Sequence, residues 1–288
     1  MPEQTSIANS LREASQALEA RGVPESRREA GSLLAFVIGK DRTFLISHAD
    51  DSLEETEVNR FREVVARRAE GEPLQYITGV QDFYGREFRV TPDVLIPRPE
   101  TELLVEAALE VITDVRGPSI CDVGTGSGCI AVTLLCERTD ARAVAVDVSE
   151  AALKVAAQNA QVLGVGDRIE LKLSNCFDAL DRTTFDAIVS NPPYISSAAL
   201  AGLQREVRDH EPLVALSPGA DGLSVIRRLL QDAPSFLNAG GHVVMEIGFD
   251  QGEAVQELIE PKFWRLMEIR PDLQSIPRIL VVQKTGGI

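Results

Sequence analysis

The sequence predicts an α/β protein. Its larger domain is an open, mostly parallel sheet with helices on both faces, preceded by a smaller all-helical domain and joined to it by a β-hairpin connector. Three observations carry this. Strand-like and helix-like segments alternate after Pro99, apolar residues recur at helical spacing from Ile7 to about Gly71, and short aromatic and β-branched stretches broken by Gly79, Gly85 and Pro92 lie between. A chain of 288 residues also exceeds what one hydrophobic core usually serves. The boundaries fall at residues 1–73, 74–97 and 98–288.

In the first segment Ile7, Leu11, Ala14 and Leu18, then Ala30, Leu33, Leu34 and Val37, then Val58, Phe61, Val64 and Val65 each mark one helix face. Ser52 with Glu55 has the spacing of a capping box opening the last of these helices, and Gly71 followed by Pro73 closes it. Beyond the connector the expected order is helix 100–112, strand 119–123, helix 128–137, strand 142–147, helix 149–163, strands 168–173 and 185–190, helix 223–237 and strand 242–247. Such a βαβ succession builds a parallel sheet, and its ligands bind at the carboxyl ends of the strands.

Composition narrows the function. Lys and Arg number 29 against 44 Asp and Glu, a net charge of −15 that repels phosphate backbones, so no direct nucleic-acid binding is expected. The four cysteines, Cys121, Cys129, Cys136 and Cys176, form no CxxC pair and lie mostly in apolar runs, which favours buried thiols over a metal site or disulfide framework. His48, His210 and His242 show no ligand spacing, so no metal is expected. The amino terminus lacks a basic stretch followed by an apolar core, and no apolar run approaches the ~20 residues of a membrane span. A cytoplasmic monomer is expected.

Two motifs carry chemistry. Asp122-Val-Gly124-Thr125-Gly126-Ser127-Gly128 follows an apolar strand and opens an apolar helix, so backbone N–H groups face one small volume and the glycines let a ligand approach the main chain. Asp147 ends the next strand, where a carboxylate can accept from both ribose hydroxyls. Gly126, Gly128 and Ala131 also satisfy the dinucleotide form GxGxxA, so this turn alone admits a nicotinamide oxidoreductase, or a bare strand-to-helix turn.

The second motif, Asn191-Pro192-Pro193-Tyr194, directly follows the strand 185–190. Pro192 holds Asn191 extended, and two prolines contribute no N–H, so the loop offers acceptors. A planar NH2 group could give one hydrogen to the Asn191 side-chain oxygen and one to the Pro192 carbonyl, with the Tyr194 ring packed against it. An amide nitrogen is a poor nucleophile because its lone pair is delocalised. Two well-placed acceptors favour the pyramidal nitrogen and the positive charge that develop as a methyl arrives from an adenosyl sulfonium. The segment offers no His, Asp or Glu, and none is obligatory as a base.

With these residues in place, the chain closely resembles the peptide chain release factor glutamine methyltransferases. The likeness runs through Gly79 to Gly85, Leu95 to Glu102, Asp122 to Gly128, Ser190 to Ile195, Glu211 to Leu216 and Met245 to Gly248. It implies a helical domain that docks the release factor and a Rossmann-like, S-adenosyl-L-methionine-dependent methyltransferase domain. The acceptor would be the glutamine side-chain amide in the Gly-Gly-Gln loop of release factors, a protein methylation serving translation termination. Carried over, Gly124, Thr125, Gly126, Ser127 and Gly128 would contact the methionine part of the cofactor and Asp147 its ribose. Asn191 would lie beside cofactor and substrate, and Asn191 to Tyr194 would grip the amide.

Many members have an Asp and a bulky aromatic where this chain has Asn175 and Cys176, so the adenine contacts are expected to differ, with Asn175 accepting from the adenine amino group and Phe177 supplying a ring nearby. Arg98 and Glu100 match the family segment, and a structural pair joining connector to helix is the alternative for them. A methyltransferase acting on exocyclic amino groups of nucleic-acid bases would use a similar tetrapeptide, against the charge of the chain.

Overall fold

A computed structural model of the chain describes residues 5–181 and 183–286. The first four residues of the stretch read for a leader, and the last two of the chain, lie outside them. Two compact units are present: one runs to Gly79 and also includes Gln204–His210, and the other comprises Val80–Leu203 and the chain from Glu211 onward.

The first unit is helical: α1 (Ile7–Glu19), α2 (Ser26–Ile38), α3 (Arg42–Ser47), α4 (Glu55–Ala69) and α5 (Leu74–Thr78). The apolar faces read from the sequence meet in one core of Ile7, Ala14, Leu18, Ala30, Leu33, Leu34, Val37, Phe61, Val64 and Val65. The cap of α4 lies two residues beyond the expected one: the Glu57 carboxylate accepts from the Glu54 N–H at 2.9 Å, and Ser52 instead bridges Ser6 in extended backbone. Leu74–Thr78 is helix where the connector was expected to begin, because Gly79 at φ +79 supplies the left-handed stop only after that turn.

Arg68 is the charged centre of this unit. Its side chain is 4% exposed, pairs with both carboxylate oxygens of Glu29, and reaches Glu206 at 2.8 Å. The planar fork of arginine satisfies two carboxylates from different segments at once, so Glu206 and the chain around it are held by a buried charge.

In the second unit the hairpin β1 (Val80–Phe83) and β2 (Arg86–Arg89) is antiparallel, with Tyr84 and Gly85 both at positive φ in its two-residue turn. Phe83 and Phe88 meet edge to face at 6.0 Å inside the core of this unit. There follow a short turn Pro99–Thr101, α6 (Glu102–Val111), β3 (Ser119–Val123), α7 (Cys129–Glu137), β4 (Arg142–Asp147), α8 (Glu150–Val162), β5 (Ile169–Leu173), β6 (Phe185–Ser190), α9 (Arg205–His210, of the first unit), α10 (Leu213–Leu216), α11 (Ser224–Asp232), β7 (Leu237–Glu246), α12 (Gly252–Glu257), β8 (Trp264–Pro271) and β9 (Pro277–Lys284).

The seven strands run in the order β5-β4-β3-β6-β7-β9-β8. Pairing is parallel from β5 to β7 and antiparallel across β7-β9 and β9-β8. Successive residues of β3 enter opposite layers: Ile120 joins the core with α6 and α7, and Cys121 the core with α11 and Trp264. Burial on both faces explains why these strands read as apolar runs without alternation. The expected helix 223–237 stops at Asp232, because Pro234 lacks an N–H, and β7 begins at Leu237. Strands β8 and β9 were not anticipated.

Among the described residues no helix is long and apolar enough to cross a membrane, no cluster of side chains could hold a metal ion, and all four cysteines are free. Removing one partner of a buried ion pair leaves an uncompensated charge, so Arg68→Ala should cost about 3 kcal/mol in the unfolding of the helical unit. Arg68→Lys, which lacks the fork, should recover only part of it. Urea denaturation of the two variants measures both.

Candidate functional site

Parallel pairing brings the carboxyl ends of β3, β4, β6 and β7 to one edge of the sheet. The glycine turn leaves β3 there. Asp122, fully buried, braces it: one carboxylate oxygen accepts from the Thr125 hydroxyl at 2.7 Å and from the Ala131 N–H at 3.3 Å. Burial pushes the Asp122 carboxyl up to about 7, against the Thr125 and Ala131 hydrogen bonds. Gly124 and Gly126 sit at φ +75 and +54, and a Cβ added to either would meet nothing within 4 Å, so open space adjoins the backbone at both.

Asp147 ends β4 beside this turn. Its two oxygens accept separately from the Gly126 N–H and the Ser149 N–H, each at 2.9 Å, which fixes the carboxylate and leaves each oxygen further lone-pair capacity. Asn159 of α8 ties the turn to the hairpin: its Nδ2 donates to the Ser127 and Arg89 carbonyls, and its Oδ1 accepts from the Arg89 N–H.

A cavity of about 270 Å³ opens at this edge. It brings together Gly124, Thr125, Gly126, Ser127, Asp147, Asn175, Cys176, Asn191, Pro192 and Pro193. Two residues expected in the site are not on its wall. Gly128, at φ +80, is packed where a Cβ would come within 3.1 Å of the Ala156 Cβ, so it permits close approach of α7 and α8 and does not line this cavity. Tyr194 turns its hydroxyl to Glu246 at 3.1 Å, and its ring packs on the core beneath. Phe177 likewise faces inward, stacked on Phe236 at 4.7 Å, so it supplies no ring to the cavity. Arg98 pairs with Glu211 and not with Glu100.

The loop after β6 is held from several sides. Asn191 Nδ2 donates to Thr101 Oγ1 at 3.1 Å, and Thr101 Oγ1 donates to Glu246 Oε2 at 2.7 Å. Gln251 Nε2 donates to the carbonyls of Tyr194 and Gly222, both at 3.1 Å, while its Oε1 accepts from the Gly248 N–H at 2.9 Å. Thr101, Glu246, Gln251 and Gly222 were not singled out as site residues. A sequence signal existed for Glu246, a carboxylate inside the otherwise apolar run from His242 to Ile247.

Two family models match the chain: the PrmC N-terminal domain over residues 9–79 and the methyltransferase small domain over residues 99–206. The release factor glutamine methyltransferase of Cereibacter sphaeroides is 45% identical over 273 residues, covering 95% of this chain and 96% of that protein. The release factor glutamine methyltransferase of Koribacter versatilis is 42% identical, with 93% and 94% covered. Among solved structures, a methyltransferase from Pyrococcus furiosus superposes with a TM-score of 0.53 at 18% identity, over 77% of this chain and 98% of that one, a likeness of fold.

Gly222 lies at φ +72, and a methyl group there would overlap the Tyr194 carbonyl and crowd Gln251. Gly222→Ala should therefore destabilise the protein by about 2 kcal/mol through left-handed strain and the displaced loop. Gly202→Ala, with ordinary φ and open surroundings, should stay within about 0.5 kcal/mol. Thermal unfolding of the pair separates the two expectations.

Proposed function

Since this chain belongs to the release factor glutamine methyltransferase family, we propose that it transfers a methyl group from S-adenosyl-L-methionine to the side-chain amide nitrogen of the glutamine in the Gly-Gly-Gln loop of peptide chain release factors. The observation that supports this reading best is the acceptor loop from Asn191 to Pro193 on the wall of the same cavity as Asp147 and the glycine turn.

The residues fit the cofactor. Open space beside Gly124 and Gly126 accommodates a ligand against the main chain, and Ser127 Oγ is buried on the cavity wall beside the Cys129 thiol. Gly124, Thr125, Gly126 and Ser127 would hold the methionine part, the remaining lone pairs of Asp147 the ribose hydroxyls, and Asn175 with Cys176 the adenine. When bound, the cofactor supplies an electrophilic methyl on a sulfonium.

This chain's own contribution is acceptors in a fixed place. Asn191 Oδ1 and the Pro192 carbonyl would each take one hydrogen of the glutamine amide, orienting its nitrogen and stabilising the positive charge that develops there. Pro192 and Pro193 bring no N–H to compete. The charged amide is strongly acidic and loses its proton to water, so no side-chain base is called for. Tyr194 would serve as a brace beneath the loop, through its bond to Glu246. The helical unit would dock the release factor, and the protein would work as a monomer in the cytoplasm.

Incubation with labelled cofactor and purified release factor should place label on the loop glutamine. An unlabelled factor beside an active control enzyme would end the proposal. Asn191→Ala should lower turnover by about two orders of magnitude, the scale of losing a hydrogen bond to a developing charge. Asp147→Ala should weaken cofactor binding about tenfold or more, the worth of hydrogen bonds to a carboxylate. Calorimetry with S-adenosyl-L-methionine measures that loss, and NADH should give no heat with the unaltered protein.

A further inference from the structure

The value of Asn191 in the reaction proposed above depends on which end of its amide faces the substrate. Oxygen and nitrogen have nearly the same shape, so packing alone does not choose between them. The choice requires a neighbour that can only accept or only donate.

The neighbour is a hydroxyl, which can do both until a third group fixes where its one hydrogen goes. Thr101, 2% exposed in the turn before α6, has one hydrogen to give. It stands between Asn191 Nδ2 at 3.1 Å and Glu246 Oε2 at 2.7 Å. An ionised Glu246 carries no hydrogen, so it must receive the one on Thr101, and it receives a second from the Tyr194 hydroxyl at 3.1 Å on its other oxygen. Thr101 is then left only as an acceptor toward Asn191. The amide must turn its NH2 to Thr101, and its oxygen is left without a bond from any described residue.

We propose that Glu246 and Thr101 are positioning residues that set the amide orientation of Asn191, the carboxylate dictating through the hydroxyl that an oxygen and not an NH2 group meets the substrate amide. The inference rests on the function proposed above for Asn191, but the orientation itself can be read without turnover.

A protonated Glu246 reverses the logic. Its hydrogen can go to Thr101, which then donates to Asn191 and draws the amide oxygen inward, so that donor faces donor at the substrate. Burial raises the Glu246 carboxyl above the usual carboxylate range, opposed by the hydrogen bonds from Thr101 and Tyr194 and by Arg278 of β9, with Glu100 raising it further. Cys129 of α7 also lies near enough to feel its charge. Raised in this way, the group takes up its proton at a higher pH than an ordinary glutamate, and activity should fall as pH drops through that value.

The orientation is tested first in the cofactor-free protein. The Asn191 side-chain NH2 signal, identified by its loss in Asn191→Ala, should show one hydrogen protected from exchange. That protection should vanish in Thr101→Val and survive in Thr101→Ser. In turnover, Thr101→Val and Glu246→Gln should each lower kcat about tenfold or more with the KM for cofactor little changed, the pattern of an interaction that matters in the transition state. Thr101→Ser should recover most of the loss, and the acid limb of the kcat profile should be absent in Glu246→Gln.

Because both residues act by one route, the double variant should be no worse than the poorer single. Unprotected Asn191 hydrogens in the unaltered protein, or fully additive losses in kcat, would overturn the proposal. A protected amide in a protein that leaves release factors unmethylated would keep the orientation and discard the reaction.

Discussion

The parallel register of four neighbouring strands is the constraint on which the site rests. Ser190 of β6 pairs with Met245 of β7, so the next residue of each strand, Asn191 and Glu246, must emerge side by side. Val123 of β3 pairs with Val146 of β4, which likewise brings the glycine turn against Asp147. A one-residue slip in either pairing would turn every following side chain to the opposite face. With both faces buried, it is the fit of particular side chains in each close-packed layer that opposes such a slip, so the core that stabilises the unit also aligns its polar edge.

The polar edge is costly, and the structure shows how the cost is met. Asp122 and Glu246 are carboxylates with almost no exposure, each pushed toward its neutral form by burial. Each is given donors from another element: Thr125 and Ala131 for one oxygen of Asp122, whose other oxygen is buried without a donor, and Thr101 and Tyr194 for the two oxygens of Glu246. A buried acceptor so supplied becomes a rigid bracket, since releasing any donor would leave a desolvated group unmade. The glycine turn and the loop from Asn191 to Tyr194 are therefore irregular in backbone and still fixed in place.

Much of this was legible in the sequence, and the failures have particular causes. That the glycine turn, Asp147 and Asn191 share one cavity could be anticipated because their placement is local: a strand end, a turn and the residues within a few positions of it. Gly128 lies off the cavity wall, unforeseen because a motif does not say which of its glycines adjoins open space and which packs on a helix, and Ala156, far along the chain, decides it. Tyr194 and Phe177 were expected at the cavity because aromatics near a site suggest stacking, whereas Phe177 stacks inside the core and Tyr194 packs against it with its hydroxyl on Glu246. Thr101 and Glu246 lie in segments that carry the family likeness, yet their pairing was not legible because it is a bond spanning 145 positions. Strands β8 and β9 pair antiparallel at the sheet edge and break the βαβ rhythm that predicted the others.

Gln204–His210 belongs to the helical unit although the chain on either side of it belongs to the other. The polypeptide therefore passes between the units three times, at Gly79, after Leu203 and before Glu211. A single cut after Gly79 would not yield two self-sufficient pieces. The carboxy-terminal fragment would carry Glu206 away from Arg68, and the amino-terminal fragment would keep an arginine buried with one carboxylate in place of two. The boundary between the units is thus drawn in three places along the chain, and a short stretch in the middle of the larger unit completes the charge balance of the smaller.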